Sequence, residues 1–125
     1  MKIRDYFKTA KGQGVLATAD AQGKVDIALY ALPHVIDDKT IAFIMTEKLT
    51  YKNLQSNPSA AYLFIEEEEK FKGQRLYLTK IKEEKDSPLL DSIRRKAYPH
   101  LKGQEYLVYF RVDKILPLIG AGAET

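Results

Sequence analysis

The residues best suited to bind a ligand lie in one short stretch, residues 46–58. It contains two hydroxyl side chains, Thr46 and Thr50, followed by Lys52. We predict that Thr50 caps a short helix, because a threonine hydroxyl can accept from the free N–H groups of the first turn. A helix start, its dipole and a nearby lysine together favour phosphate binding. An ordinary capped helix with a solvated lysine is the alternative interpretation.

Other residue types that carry chemistry form no recognisable arrangement. His34 and His100 each lie beside a proline, and neither is matched to a serine or cysteine as in a hydrolytic triad. His34, near the end of a predicted strand, is a secondary site candidate. The adjacent glutamates 66–69 alternate in direction along a strand, so no metal site is predicted. With no Walker or GxGxxG motif, we expect an organic cofactor to supply any reactivity.

Composition limits the broad class of protein. The chain has 125 residues, 45% hydrophobic and 30% charged, which fits one globular domain spanning residues 1–125. A net charge of +3 with dispersed lysines does not favour nucleic acid. No apolar run reaches the roughly 20 residues of a membrane span. The N-terminus lacks a signal-peptide core, and the chain has no cysteine, so we predict a cytoplasmic protein.

The first half of the chain predicts a helix and three strands. Apolar residues at helical spacing predict a helix over residues 2–10. Strands are predicted over 15–19 and 25–32, joined by a glycine-containing turn. A second turn at 36–40 leads into a third strand over 41–45. Successive strands with tight turns predict an antiparallel meander.

The second half predicts three more strands and two helices, the first of which begins near Thr50. These strands cover residues 60–65, 74–81 and 106–112. The second helix starts with Ser87 as its N-cap and Pro88 as its first residue. The tail from Gly120 lacks a pattern and is expected to be loose. We therefore predict a mainly β (α+β) fold, a six-stranded antiparallel barrel with short flanking helices.

The sequence also resembles a known family. The segment TEKLTYK from Thr46, the pair Asn57-Pro58 and the strand 61–64 resemble the pyridoxamine 5'-phosphate oxidase-like family of FMN-binding split β-barrels. The upstream hairpin is similar to that family's first hairpin, with GVLAT from Gly14 and DAQG from Asp20. The resemblance covers roughly residues 8–82 and is compatible with the later helix and strand. It implies a six-stranded antiparallel split β-barrel with FMN as cofactor.

This resemblance implies roles for particular residues. Lys52 and Thr50 would hold the FMN phosphate, with Thr46 near the flavin, and the second strand would face the isoalloxazine ring. The cofactor-binding residues implied in this way are Thr18, Ala28, Leu29, Tyr30, Thr46, Thr50, Tyr51, Lys52 and Arg75. The resemblance also implies a homodimer with the flavin at the subunit interface.

Two departures from the family's oxidases bear on the expected activity. The strand at 27–31 lacks the arginine and lysine of those enzymes, and Tyr51-Lys52 replaces their Arg-Lys pair. Pyridoxine phosphate oxidation is therefore not expected. The resemblance implies an FMN-binding oxidoreductase or electron carrier with an unassigned substrate. The alternatives are a non-catalytic module that binds flavin, haem or another flat ligand, and a deazaflavin-dependent reductase.

Overall fold

One antiparallel sheet of seven strands dominates the described part of the chain. The structure is a computed structural model that describes residues 2–97 and 104–120. Its elements are α1 (Ile3–Thr9), β1 (Gly12–Ala19), β2 (Val25–Tyr30), β3 (His34–Asp37), β4 (Thr40–Met45), α2 (Leu49–Ser56), β5 (Ser59–Glu66), β6 (Gly73–Glu84), α3 (Pro88–Ala97) and β7 (Tyr106–Pro117). The strand order across the sheet is β2-β1-β5-β6-β7-β4-β3.

The sheet differs from the predicted one in strand number and order. Six strands were expected, and the additional one among the described residues is β3, whose four residues are too few to show a clear pattern. β3 pairs with β4 across a turn in which the Asp37 carboxylate accepts from the Lys39 N–H at 2.9 Å. β2 pairs with β1 at the opposite edge. The predicted three-strand meander is therefore wrong.

The sheet curls so that its two edges approach each other. The ring of Tyr30, on the edge strand β2, lies 5.6 Å from the ring of Phe43 on β4. Phe43 also packs against Tyr62 at 5.0 Å and Phe110 at 6.0 Å. Strands from both halves of the sheet thus share one core, as in a barrel. No pairing joins β2 to β3 in the described residues, so this barrel is split along those edges.

Alternation along the strands builds the core. On β1, Leu16 and Thr18 are buried and point inward, whereas Val15 and Ala17, which alternate with them, point outward. β4 is buried on both faces, because α3 packs on its outer side through Leu90. At one end of the barrel, α1 contributes Ile3 and other apolar residues to the inner core. The inner core therefore depends on side chains from most elements.

Local signals set the described helix ends, with one difference from prediction. The Ser87 hydroxyl accepts from the Leu90 N–H at 3.0 Å, which confirms the predicted cap of α3. α2 ends at Asn57, before Pro58, as predicted. Its N-cap, however, is Lys48 rather than Thr50, which is buried inside the first turn. The predicted end of α3 at Pro99, His100 and the tail beyond Gly120 lie outside the described residues.

At Gly14, the backbone of β1 comes very close to the Tyr62 ring. A Cβ atom added to Gly14 would lie 1.9 Å from the Tyr62 hydroxyl oxygen. We expect Gly14→Ala to lower the free energy of unfolding by about 1–3 kcal/mol, because overpacking displaces core side chains. Chemical denaturation measures this change. Gln13→Ala, at the exposed neighbouring position, should stay within about 0.5 kcal/mol of the wild type. Equal stability for both variants would contradict the close approach.

Candidate functional site

A cavity of 290 Å³ opens where the barrel is split. Its walls come from the end of β2, the following loop, the start of β3 and the end of β4. The apolar side chains that line it are Leu29, Ala31, Leu32, Phe43, Ile44 and Met45. Four side chains with polar groups, Tyr30, His34, Thr46 and Glu105, complete the lining. A mostly apolar wall with a few polar groups is typical of a small-molecule site.

Strand pairing leaves part of the cavity wall free. β3 begins at His34, which pairs with Ala42 of β4. Within the described residues, the part of β4 from Phe43 to Met45 has a strand partner only on its β7 side. A free strand edge presents backbone N–H and C=O groups that can bond a ligand. The cavity therefore offers backbone hydrogen bonds as well as apolar contacts.

The loop after β2 is fixed from inside the barrel. The buried Tyr62 hydroxyl donates to the Ala31 carbonyl at 3.0 Å. Burial raises the pKa of Tyr62, so this hydroxyl keeps its proton at neutral pH. The hydrogen bond therefore holds the cavity wall to β5.

Tyr30 connects the cavity to the start of α2. Burial raises the pKa of Tyr30, and a hydrogen bond with the Thr50 side chain partly offsets this increase. Thr46 lines the cavity directly after β4 and leads into α2. The cavity and the helix start are therefore neighbours, and they bring together four of the residues implied by the resemblance: Leu29, Tyr30, Thr46 and Thr50.

The start of α2 is open to an anion. Its N-cap residue, Lys48, makes no side-chain capping hydrogen bond. The side chains of Lys48 and Lys52 are exposed, and neither has an ion pair within the described residues. Uncapped N–H groups, the helix dipole and nearby ammonium groups all favour a phosphate here.

Tyr51 lies on a different side of α2. Its ring stacks on Tyr106 with a centroid distance of 4.4 Å, and its hydroxyl donates to Glu83. Burial raises the pKa of Tyr51, and the Glu83 carboxylate raises it further. The structure therefore places Tyr51 against β6 and β7 and away from the cavity lining.

Thr18 and Ala28 face the inside of the barrel. The Thr18 hydroxyl accepts from the Asn53 side-chain amide of α2 at 3.0 Å, and both residues are buried. Ala28 lies opposite the buried Leu16 across the β1–β2 pair. Thr18 thus anchors α2 to β1, and neither residue lines the cavity.

The Arg75 side chain binds the C-terminal end of the described chain. Its guanidinium donates to the carbonyls of Pro117 at 2.8 Å and Gly120 at 2.6 Å. On β6 it lies between Leu63 and Leu116 of the neighbouring strands. In this chain Arg75 joins β6 to the end of β7, and it is outside the cavity lining.

The structure adds two polar residues to the site. Sequence reasoning gave His34 a secondary place, and Glu105 had no signal at all. Burial lowers the pKa of His34. The buried Glu105 carboxylate lies 3.1 Å from Nε of Arg94 on α3. Packing of the start of β7 against β4 brings Glu105 to the cavity, so local sequence could not reveal it.

A larger depression lies between α1 and the β5–β6 loop. Its volume is 610 Å³, and its lining includes Tyr6, Lys11, Glu66, Glu68 and Lys72. The Tyr6 hydroxyl donates to Glu66 at 2.5 Å. Charged, exposed side chains dominate this surface, which suits a flat apolar ligand less well than the cavity in the split.

Residues 2–97 and 104–120 contain no group of three or more His, Cys, Asp or Glu side chains arranged to hold a metal ion. No helix in these ranges has the length and apolar character needed to cross a membrane.

Comparison with known proteins gives structural neighbours. No family model matches the chain, and no curated protein matches it. An FMN-binding protein from Syntrophomonas wolfei subsp. wolfei has a TM-score of 0.79 and 21% identity, over 97% of this chain and 86% of that one. A protein assigned as a pyridoxamine 5'-phosphate oxidase from Lactobacillus delbrueckii has a TM-score of 0.69 and 17% identity, over 90% and 88%.

A third neighbour has a different ligand. HutZ, the haem storage protein from Vibrio cholerae, has a TM-score of 0.68 and 18% identity, over 92% of this chain and 91% of that one. At these identities the likeness shows the fold. The neighbours confirm the resemblance seen in the sequence: this chain has the split-barrel fold of pyridoxamine 5'-phosphate oxidase-like proteins.

The Thr18–Asn53 contact gives a prediction about stability. We expect Thr18→Val to lower the free energy of unfolding of the cofactor-free protein by about 1–3 kcal/mol, because the buried Asn53 amide loses its acceptor. Thr18→Ser keeps the oxygen and loses one methyl group, at a cost of about 0.8 kcal/mol. Thermal or chemical denaturation measures both variants. If Thr18→Val were as stable as the wild type, the anchoring role of Thr18 would be wrong.

Proposed function

We propose that this chain, a split barrel of the pyridoxamine 5'-phosphate oxidase-like fold, binds FMN and acts as an oxidoreductase or electron carrier. The observation that carries this proposal is the position of an apolar cavity next to an uncapped helix start. The cavity suits a flat ring system, and the helix start suits a phosphate. FMN has both groups, joined by a short polar chain.

The residues of the site fit such a ligand. Leu29, Phe43 and Met45 offer apolar contacts to the ring, and the free edge of β4 offers backbone hydrogen bonds to its polar rim. Thr46 and Lys52 would bind the phosphate side through their side chains, and Thr50, whose hydroxyl bonds Tyr30, would offer its backbone N–H. Lys52 is the full charge among them, and its side chain is exposed and has no ion pair in the described ranges.

The chain itself would mainly bind, orient and shield the ligand. FMN would supply the redox chemistry when bound. The apolar residues of the lining would exclude water from one side of the ring. The Tyr62–Ala31 hydrogen bond holds the loop that forms this wall.

The cavity is too small for the whole cofactor. Its 290 Å³ lie just below the roughly 300–1,000 Å³ typical of small-molecule sites. The ring system would fill it, and the remainder would lie along α2 or under a second subunit. This favours the homodimer that the resemblance implied.

An apolar outer surface supports the same arrangement. On the edge strand β2, Val25, Ile27 and Leu29 are 82%, 71% and 75% exposed. Outward positions on the neighbouring strands β1 and β5, including Val15 and Leu63, are also apolar. We call the surface formed by Val25, Ile27, Leu29, Val15 and Leu63 the β2 face. A contiguous apolar surface of this kind favours association, most simply as a twofold homodimer.

Leu29 joins the β2 face to the cavity, because it is exposed on the first and lines the second. A second copy packed on the β2 face would therefore reach the mouth of the cavity. The homodimer and the cofactor site are thus parts of one proposal, with the flavin at the subunit interface.

Haem is the second candidate ligand. The HutZ neighbour is a haem storage protein, and the cavity of this chain contains an imidazole, His34. Imidazole is a common haem ligand. The start of α2 could accept a phosphate or a haem propionate. We favour FMN because the sequence around Thr46, Thr50 and Lys52 resembles the phosphate motif of the FMN-binding family.

Lys52 provides the sharpest test of FMN binding. We expect Lys52→Ala to weaken FMN binding by about tenfold to a hundredfold, because a charge-assisted hydrogen bond contributes roughly 1.5–3 kcal/mol. Riboflavin, which lacks the phosphate, should bind more weakly than FMN to the wild type and be almost unaffected by the substitution. Fluorescence titration with both flavins measures these affinities.

Lys48→Ala is the matched control, since Lys48 is also exposed and lies four positions earlier in the chain. It should change FMN affinity much less than Lys52→Ala, because the resemblance gives the direct phosphate contact to Lys52 and leaves Lys48 to contribute only diffuse charge. Equal small effects from the two substitutions would mean that only diffuse charge acts here. Equal affinity of the wild type for FMN and riboflavin would contradict a phosphate site.

Charge on the β2 face should separate the subunits. We expect Ile27→Lys to convert the proposed dimer to a monomer, because an ammonium group would be buried without a partner in the interface. Ile27 is largely exposed in the single chain, so the monomer should still fold. Leu89→Lys, at a partly exposed position on α3, is the control and should leave the dimer intact. Sedimentation velocity measures the assembly state. A wild-type protein that sediments as a monomer at micromolar concentration would refute the dimer.

A further inference from the structure

His34 is the cavity side chain whose charge can change near neutral pH. An unperturbed histidine has a pKa of about 6.5. Burial raises the pKa of Tyr30, the other neutral titratable group in the lining, so its hydroxyl stays protonated. The Glu105 carboxylate is buried beside Arg94 at 3.1 Å. A response of the cavity to mild acid that disappears when His34 is replaced is therefore assigned to His34.

The surroundings of His34 favour its neutral form. Within the described residues the imidazole has no hydrogen bond and no ion pair, and burial lowers its pKa. On its other side, His34 lines a depression of 430 Å³ together with Arg4, Asp5 and Lys8 of α1. These two cations and one carboxylate are the charged groups that face His34 from α1, and burial is the cause of its lowered pKa.

We propose that His34 contacts the ring system of the bound ligand as a neutral imidazole, so that the ligand and a proton compete for this residue. The ligand class is an uncharged, flat heteroaromatic ring with hydrogen-bonding edges. The inference rests on the proposed function for the identity of that ligand. It assigns a ligand-contacting role to His34 that the motif around Thr46 and Lys52 does not include.

The competition follows from the shape of the cavity. His34 forms part of its wall, and the other walls are mostly apolar. A ring that fills the cavity displaces the water that would solvate an imidazolium ion. Burying that charge without a partner is costly, so the bound state should hold the proton less tightly than the free state. By linkage, affinity should fall as the pH falls through the pKa of His34 in the free protein.

Riboflavin is the appropriate probe, because FMN carries a phosphate monoester that itself titrates near pH 6. We expect the riboflavin dissociation constant of the wild type to rise by up to about tenfold per pH unit below the pKa of His34. His34→Gln keeps hydrogen-bonding groups but cannot titrate, so its dissociation constant should be independent of pH across the same range. The same pH dependence in both proteins would overturn the proposal.

A second measurement keeps His34 in place, in case His34→Gln does not fold. NMR titration of the imidazole resonances gives the pKa of His34 with and without riboflavin, and His100→Gln identifies which resonances belong to His34. Saturating riboflavin should lower the pKa of His34. An unchanged or raised pKa would overturn the proposal.

The two proposals fail in different ways. If riboflavin and FMN both fail to bind at any pH, the proposed function is wrong and the role of His34 falls with it. If both flavins bind and the pKa of His34 does not respond, only the role of His34 is wrong.

Discussion

Contact between aromatic rings at the two edges of the sheet is the interaction on which the rest of the structure depends. Tyr30 on β2 meets Phe43 on β4, and Phe43 packs against Tyr62. This contact holds the sheet in a curl without backbone pairing between the edges, and so creates the split. Gly14 leaves the space that the Tyr62 hydroxyl occupies, and that hydroxyl holds the carbonyl of Ala31. The cavity is therefore a consequence of how the core closes.

The sequence predicted what local chemistry determines. The first hairpin, the helix stop at Asn57-Pro58 and the Ser87 cap rest on turn and capping residues within a few positions of each other, and the structure confirms them. The order of the strands depends on contacts between distant segments, so β3 and its place at the far edge were not predicted. Thr50 was assigned to the cap because threonine hydroxyls commonly cap helices. In the structure its hydroxyl turns inward to Tyr30, a long-range contact that sequence cannot show.

The candidate site likewise combines residues that local sequence reveals with residues that only the packing of distant segments brings in. Thr46, Thr50 and Lys52 lie within one motif and were found from the sequence. Leu29 and Tyr30 were implied by the resemblance, and the structure places them beside that motif. Glu105 comes from a distant element, which no local pattern connects to the cavity. Arg75 was implied as a cofactor residue, yet here its guanidinium bonds the carbonyls that follow β7. A strand position alone does not show which partner a long side chain will take.

Native mass spectrometry of the purified protein tests the central claim most directly, because it identifies the bound molecule and the number of chains together. The apolar cavity, the uncapped start of α2 and the β2 face predict a dimer that carries FMN, either as purified or after FMN is added. A dimer that carries haem and does not take up FMN would contradict the account of the cavity. A monomer that remains free of flavin in excess FMN would contradict both the ligand and the assembly.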